Sequence, residues 1–194
     1  MGGPGQEPDG KDPTYMNKLF KLQGLRILVA AGALATFFIA QAQIPGKLVP
    51  PAGNVEVLRG YASGFQMYVS VEDPALPGSY MWRFVGPTAT LANNGGRDYA
   101  THYGGPTWQA NNTGSLVKGT RVDGATVDPT AIDWLLLRGR DHAGKGMFSK
   151  VSYIQRIDTV GGLMPAWTPP SAGIEVSVPY TATYVFFEAI SPLP

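Results

Sequence analysis

"SKVSYIQRI", Ser149 to Ile157, alternates with a period of two. Val151, Tyr153, Gln155 and Ile157 share one side, and Ser152, Ile154 and Arg156 share the other. Successive side chains of a strand point to opposite faces, so this pattern predicts a β-strand. Downstream, "ATYVFFE" (182–188) is aromatic and β-branched on both sides and reads as a strand buried on both faces. Working outward, strand character recurs in "NVEVLRGY" (54–61), "FQMYVSV" (65–71), "SYMWRFV" (79–85), "GSLVKGTRV" (114–122) and "IEVSVPY" (174–180). In "FQMYVSV", Phe65, Met67 and Val69 lie on one face. "AIDWLLLRG" (131–139) fits a strand, or a short helix started at Asp128–Pro129; Gly139 ends it early and favours the strand. Gly and Pro punctuate these runs at intervals of roughly ten residues. The expectation is a mainly β chain with an antiparallel sandwich or barrel-like domain and no internal repeat.

Composition agrees. The 194 residues include 25 Gly and 17 Pro, and only 15% are charged. Many turns and few long helices follow. A net charge of +1 argues against a nucleic-acid partner, which requires a basic field to neutralise phosphates. Cysteine is absent, which excludes disulfides, thiolate nucleophiles and cysteine-held metals.

The N-terminal part is built differently. Residues 1–15 form a Gly/Pro-rich polar tail, expected to be cytoplasmic. Residues 16–43 read as a signal-anchor: Lys18, Lys21 and Arg26 precede an apolar run that begins at Ile27. No charge occurs between Arg26 and Lys47, and about 20 uncharged helical residues span about 30 Å, enough to cross a bilayer. The basic flank places the N-terminus in the cytoplasm and residues 55–194 in the periplasm of a bacterial inner membrane. Residues 44–54, "IPGKLVPPAGN", read as a linker. Gly32, with Ala31 and Ala35, offers a small-residue surface for packing against other helices. The competing expectation is cleavage after Ala40-Gln41-Ala42, which frees a secreted chain starting at Gln43. No His, Asp, Glu, Lys or Arg occurs between Ile27 and Gly46, so this stretch is not expected to relay protons or ligate a pigment.

The most site-like segment is "THYGGPTWQANN" (101–112), where His102, Tyr103, Trp108, Asn111 and Asn112 surround Gly104-Gly105-Pro106. Such a loop suits a sugar, stacked on Trp or Tyr and hydrogen-bonded by the amides; otherwise it is a tight turn whose aromatics cap the core. "RGRDHAGKGMFSK" (138–150) collects Arg138, Arg140 and Lys145 for an anionic partner or lipid headgroups, or simply for solvent. His102 and His142 are the only histidines. No G-x-S-x-G, H-E-x-x-H or phosphate-binding glycine motif accompanies them. They are expected to be structural, and the chain to be a non-enzyme without cofactor or metal.

From about Gly64 to Phe187 the chain resembles a widespread family of secreted bacterial and fungal β-proteins of unknown function. The resemblance rests on "GFQMYV" (64–69), "HYGGPTW" (102–108), "IDWLLL" (132–137), "GKGMFSKVSYIQRIDTVGGLMP" (144–165) and "VPYTATYVFF" (178–187). It implies a cysteine near Val69 and another within 167–171 in many relatives; both are missing here, and a lost staple implies another source of rigidity, such as a partner. The layout of tail, single helix and outer domain resembles the S subunit of some bacterial photosynthetic reaction-centre–antenna complexes. The leading expectation is therefore a non-catalytic, single-pass accessory subunit that stabilises a membrane assembly, with other subunits and membrane lipid as partners. The alternative is a cleaved, secreted binder of carbohydrate or another small ligand.

Overall fold

The alternating stretch is a strand from Val151 onward in the structure, a computed structural model that describes residues 1–2 and 43–190. The strands are β1 (Asn54–Glu72), β2 (Tyr80–Ala92), β3 (Asp98–Tyr103), β4 (Thr107–Ala110), β5 (Leu116–Ala125), β6 (Trp134–Ala143), β7 (Val151–Gly161) and β8 (Glu175–Ala189). Each pairs antiparallel with the next, and β8 returns to β1, so one sheet closes into a barrel. Of the two expected architectures the sandwich gives way to the barrel. Closure pairs every strand on both sides and leaves no edge to protect.

Two long strands make closure feasible. β1 bonds β2 along one side and β8 along the other, with register shifts at Met67/Tyr68 and Glu56/Leu58. Such bulges bend a strand and increase its twist. The segments 131–133 and 126–130 form no helix: Asp128 instead accepts from the amide and hydroxyl of Thr130, both at 2.7 Å, and closes a turn. Among the described residues no helix is long and apolar enough to cross a membrane. The expected helix, with Ala31, Gly32 and Ala35, lies outside the described residues.

Apolar side chains form two clusters on opposite sides of the wall. Inside, Trp108, Val117, Leu137, Ile154, Tyr184 and Phe186 pack together, and Phe148 from the β6–β7 connection plugs one end. Outside, Trp134, Leu136, Ile157 and Val185 pack beneath Leu48, which is fully buried. This explains the double-sided burial of β8: Tyr184 and Phe186 face inward, while Val185 lies under the chain that precedes β1. The stretch read as a linker is thus a clamp. A 3₁₀ turn at Gly46–Leu48 lies on the wall, the buried Gln155 Nε2 donates to the Leu48 carbonyl at 2.7 Å, and Lys47 pairs with Asp123 at 3.2 Å.

β1 shows how the barrel uses its two faces. Gln66, Tyr68 and Ser70 point inward and are buried, whereas Phe65 is 43% exposed on the outer face it shares with Met67 and Val69. Ser70 also holds the 171–174 segment to β1. Its hydroxyl donates to the Ser171 carbonyl at 2.7 Å and accepts from the Ile174 amide at 2.8 Å. Nearby, Trp82 Nε1 donates to the Trp167 carbonyl at 2.9 Å. The 167–174 segment is therefore tied to β1 and β2 by hydrogen bonds. Ser70→Ala leaves a carbonyl and an amide unpaired, and is expected to lower unfolding free energy in urea by about 2 kcal/mol.

Candidate functional site

The interior is only partly filled. At the end opposite Phe148 a cavity of ≈ 460 Å³ opens among residues of all eight strands. Its polar lining includes Gln66, His102, Arg121, Asp133, Arg156 and Tyr184. Phe84, Leu163 and Met164 contribute apolar surface and are substantially exposed, which places them at the mouth. The volume lies within the roughly 300–1,000 Å³ of small-ligand sites.

The "HYGGPTW" segment is a hairpin rather than an open loop. Gly104–Pro106 joins β3 to β4, and the register sets His102 opposite Trp108. Both rings point inward and stack at 4.3 Å with planes 8° apart; Tyr184 meets each of them edge-on, at 5.0 and 5.3 Å. His102 Nδ1 donates to the Thr107 carbonyl at 2.9 Å, which fixes that tautomer. The other residues expected to join them do not. Tyr103 faces outward and donates to Gln109 Oε1 at 3.0 Å. Asn111 and Asn112 sit in the β4–β5 turn at the opposite end of the barrel, beside Asn93 and Arg97 in a separate recess. The reason is geometric: β4 is only four residues long, yet it carries the chain from one rim to the other.

Arg138 and Arg140 do not share a loop with Lys145. β6 continues to Ala143, so the two arginines project from its outer face and Lys145 lies in the turn beyond. Arg140 stands directly opposite Lys118. His142, also read as structural, lies exposed near the end of β6, with Nε2 donating to the Val151 carbonyl at 2.8 Å.

The cavity contains residues that the sequence reading missed. Gln66, Tyr68, Arg156 and Tyr184 all line it. A signal for Arg156 was present: it shares a strand face with Ile154, and a charged residue alternating with a core position points into an interior. Its guanidinium donates twice to the Asp133 carbonyl, at 3.0 and 2.8 Å, and makes no ion pair among the described residues. Gln66 Nε2, Trp108 Nε1 and the Tyr184 hydroxyl are buried without hydrogen-bond partners among the described residues. Burial raises the Tyr68, Tyr180 and Tyr184 phenols above their ordinary range, with Arg156 pulling in the opposite direction.

Burial also pushes the His102 imidazole down to about 3. The folded protein keeps this ring neutral, while the unfolded chain protonates it near the ordinary histidine value. Between those two values the unfolded state binds more protons, so stability falls as pH drops below about 6.5. From pH 6.5 to pH 5 the expected loss from this group is about 2 kcal/mol, read by urea denaturation. The His102 ring resonances should stay flat in an NMR titration over the same interval.

A family model described as "Protein of unknown function (DUF3455)" matches residues 51–188, which span the barrel. No curated protein and no solved structure matches the chain.

Proposed function

The chain belongs to the DUF3455 family of proteins of unknown function, and from that premise we propose that it is a non-catalytic, single-pass accessory subunit of a bacterial inner-membrane assembly. The N-terminus is cytoplasmic and the barrel periplasmic in this reading. The layout resemblance to the S subunit narrows the assembly to a photosynthetic reaction-centre–light-harvesting complex.

The observation that carries the proposal is the clamp at Leu48. A flexible linker lets a tethered domain reorient freely. Here the chain entering the barrel is held by a fully buried side chain, a buried amide hydrogen bond and an ion pair. The 46–48 turn is therefore fixed to the wall. Linking an anchor and an outer-domain interface on one chain raises the effective concentration of each for the assembly. The outer basic residues fit the same picture. Lys118 and Arg140 oppose each other across β5 and β6, and neither they nor Arg138 and Lys145 form ion pairs among the described residues. Like charges directly opposite repel, and an acidic subunit surface or anionic lipid headgroups would relieve the repulsion.

Deleting residues 1–42 is expected to abolish co-purification of the barrel with its partner subunits from membranes. Full retention of partners by the truncated barrel refutes the proposal. The freed, ligand-binding alternative predicts a native polypeptide that starts at Gln43, soluble and alone, and intact mass measurement distinguishes the two.

A further inference from the structure

The cavity has the makings of a binding site whatever becomes of the tether. Its charges do not balance. Arg121 pairs with Asp133 at 3.5 Å, which leaves Arg156 with only a backbone carbonyl as acceptor. Its unpartnered groups are biased in one direction as well. Trp108 Nε1 and Gln66 Nε2 only donate, and the Tyr184 hydroxyl is able to donate. Buried donors without acceptors cost roughly 1–3 kcal/mol each, so a group rich in acceptors is the complement this wall lacks. The mouth is different in character: Phe84 is 51% exposed, Leu163 42% and Met164 54%.

We propose that the barrel binds a small amphipathic carboxylate, its head group on Arg156 and its apolar body against Phe84, Leu163 and Met164. One uncompensated cation suits a monoanion. Arg156 is partly exposed and makes the first contact. The polar atoms of Gln66 and Tyr184 are closed to water behind it, and a side-chain adjustment brings them to the head group. A sugar is a poor fit. Ring stacking needs an open aromatic face, and Trp108 is 1% exposed, with His102 on one face and Tyr184 and Phe186 against it edge-on. The Asp133 carboxylate also borders the cavity, but it is engaged by Arg121 and by the Thr126 hydroxyl at 2.7 Å.

The proposal is independent of the membrane reading, since loss of partners on deleting residues 1–42 leaves the cavity intact. Its test is calorimetric titration of the full-length chain, in non-ionic detergent, with naphthalene-2-carboxylate and with the uncharged 2-naphthamide. The carboxylate is expected to bind one to one and at least tenfold more tightly than the amide. Arg156→Gln should erase that preference. Tyr184→Phe, which removes an unpartnered hydroxyl, should weaken carboxylate binding several-fold without loss of thermal stability. Absence of binding by either probe, equal binding of both, or a preference that survives Arg156→Gln overturns the proposal. If Arg156→Gln loses its near-ultraviolet circular dichroism, Tyr184→Phe decides, and unchanged carboxylate affinity there overturns it.

Discussion

Gly64→Ala is expected to leave little folded barrel. Gly64 lies in β1 between Ala89 of β2 and Tyr180 of β8. A Cβ at this position meets the Thr88 carbonyl oxygen, and lies 2.5 Å from Ala89 Cα and 2.6 Å from Ala89 Cβ. These are mostly backbone atoms of a paired strand, so no flexible side chain can yield. In an open sheet the neighbour would move outward. Here β2 is fixed by β3, and the ring of strands has no free edge to absorb the shift. Overpacking a core typically costs about 1–3 kcal/mol, and a clash with backbone in a closed sheet belongs above that range. The expected loss exceeds about 3 kcal/mol, a large share of the roughly 5–15 kcal/mol that holds a domain together. The control is Gly46→Ala, where a Cβ meets nothing within 4 Å. Thermal denaturation should show a normal transition for Gly46→Ala and a collapsed or absent one for Gly64→Ala. Equal melting temperatures would show that β1 and β2 are not packed this closely.

The same glycine explains where sequence reading went astray. Gly64 and the Gly86–Pro87 pair fall between runs read as strands, so β1 appeared as two strands and β2 ended early; β8 appeared as two runs, with Pro179 inside the first, and Gly60 lay inside the first run of β1. In the structure all of them lie inside strands. A small barrel needs its strands strongly bent, and Gly and Pro inside a strand mark bends and close approaches as readily as they mark turns. The alternation itself survived this error. In "SKVSYIQRI" the faces of Tyr153 to Ile157 were legible without knowing the sheet, whereas Val151, expected beside Tyr153, turns into the inner cluster across a register shift; "ATYVFFE" was legible as apolar on both faces. What alternation alone does not say is which face is inside. In "FQMYVSV" the oilier side, Phe65, Met67 and Val69, turns out, and the side bearing Gln66, Tyr68 and Ser70 turns in. Hydrophobicity points inward only where the interior is dry and filled. Here a cavity takes up part of the interior, and Gln66, His102, Arg121, Asp133 and Arg156 stand among the apolar residues of its wall.

Site residues were legible in proportion to how local their contacts are. His102 and Trp108 meet across a hairpin with a three-residue loop, so their proximity could be read from "HYGGPTW". Arg156 and Tyr184 reach the same cavity from β7 and β8, whose pairing sets them opposite each other. Gln66 arrives from a third, distant strand. No spacing rule links these positions, because closure of the barrel, rather than sequence distance, brings them together. The packing of the 44–54 segment was not legible for a related reason. "IPGKLVPPAGN" contains one residue, Leu48, whose burial depends on a groove formed by Trp134, Leu136, Ile157 and Val185.

Trp108→Ala should remove the largest fully buried side chain and cost about 3–5 kcal/mol, the range for truncating a core aromatic. The position in the register makes the upper part of that range the better expectation. Gly64, Ala89, His102, Trp108 and Val117 are successive cross-strand neighbours from β1 to β5. The first two are small, and the stacked rings of His102 and Trp108 fill the space beside them, as interiors of small barrels alternate small and large residues. Removing the indole strips His102 of its stacked partner and Tyr184 and Phe186 of an edge-on one. Glycine and backbone on the other side cannot collapse into the gap, so most of the void remains. It also merges with the existing cavity, which admits water to the neutral His102 ring. Trp108→Ala should therefore lower stability and shift the titration of His102 upward from about 3 toward its ordinary value. Trp108→Phe keeps a stacking face and deletes an indole N–H that has no partner, so its cost is expected to be about 2 kcal/mol or less. Urea denaturation of the two variants, with His102 followed by NMR, tests both halves of the argument. A Trp108→Ala protein as stable as Trp108→Phe, with His102 still neutral at pH 5, would mean that the ring is not the support this geometry makes it.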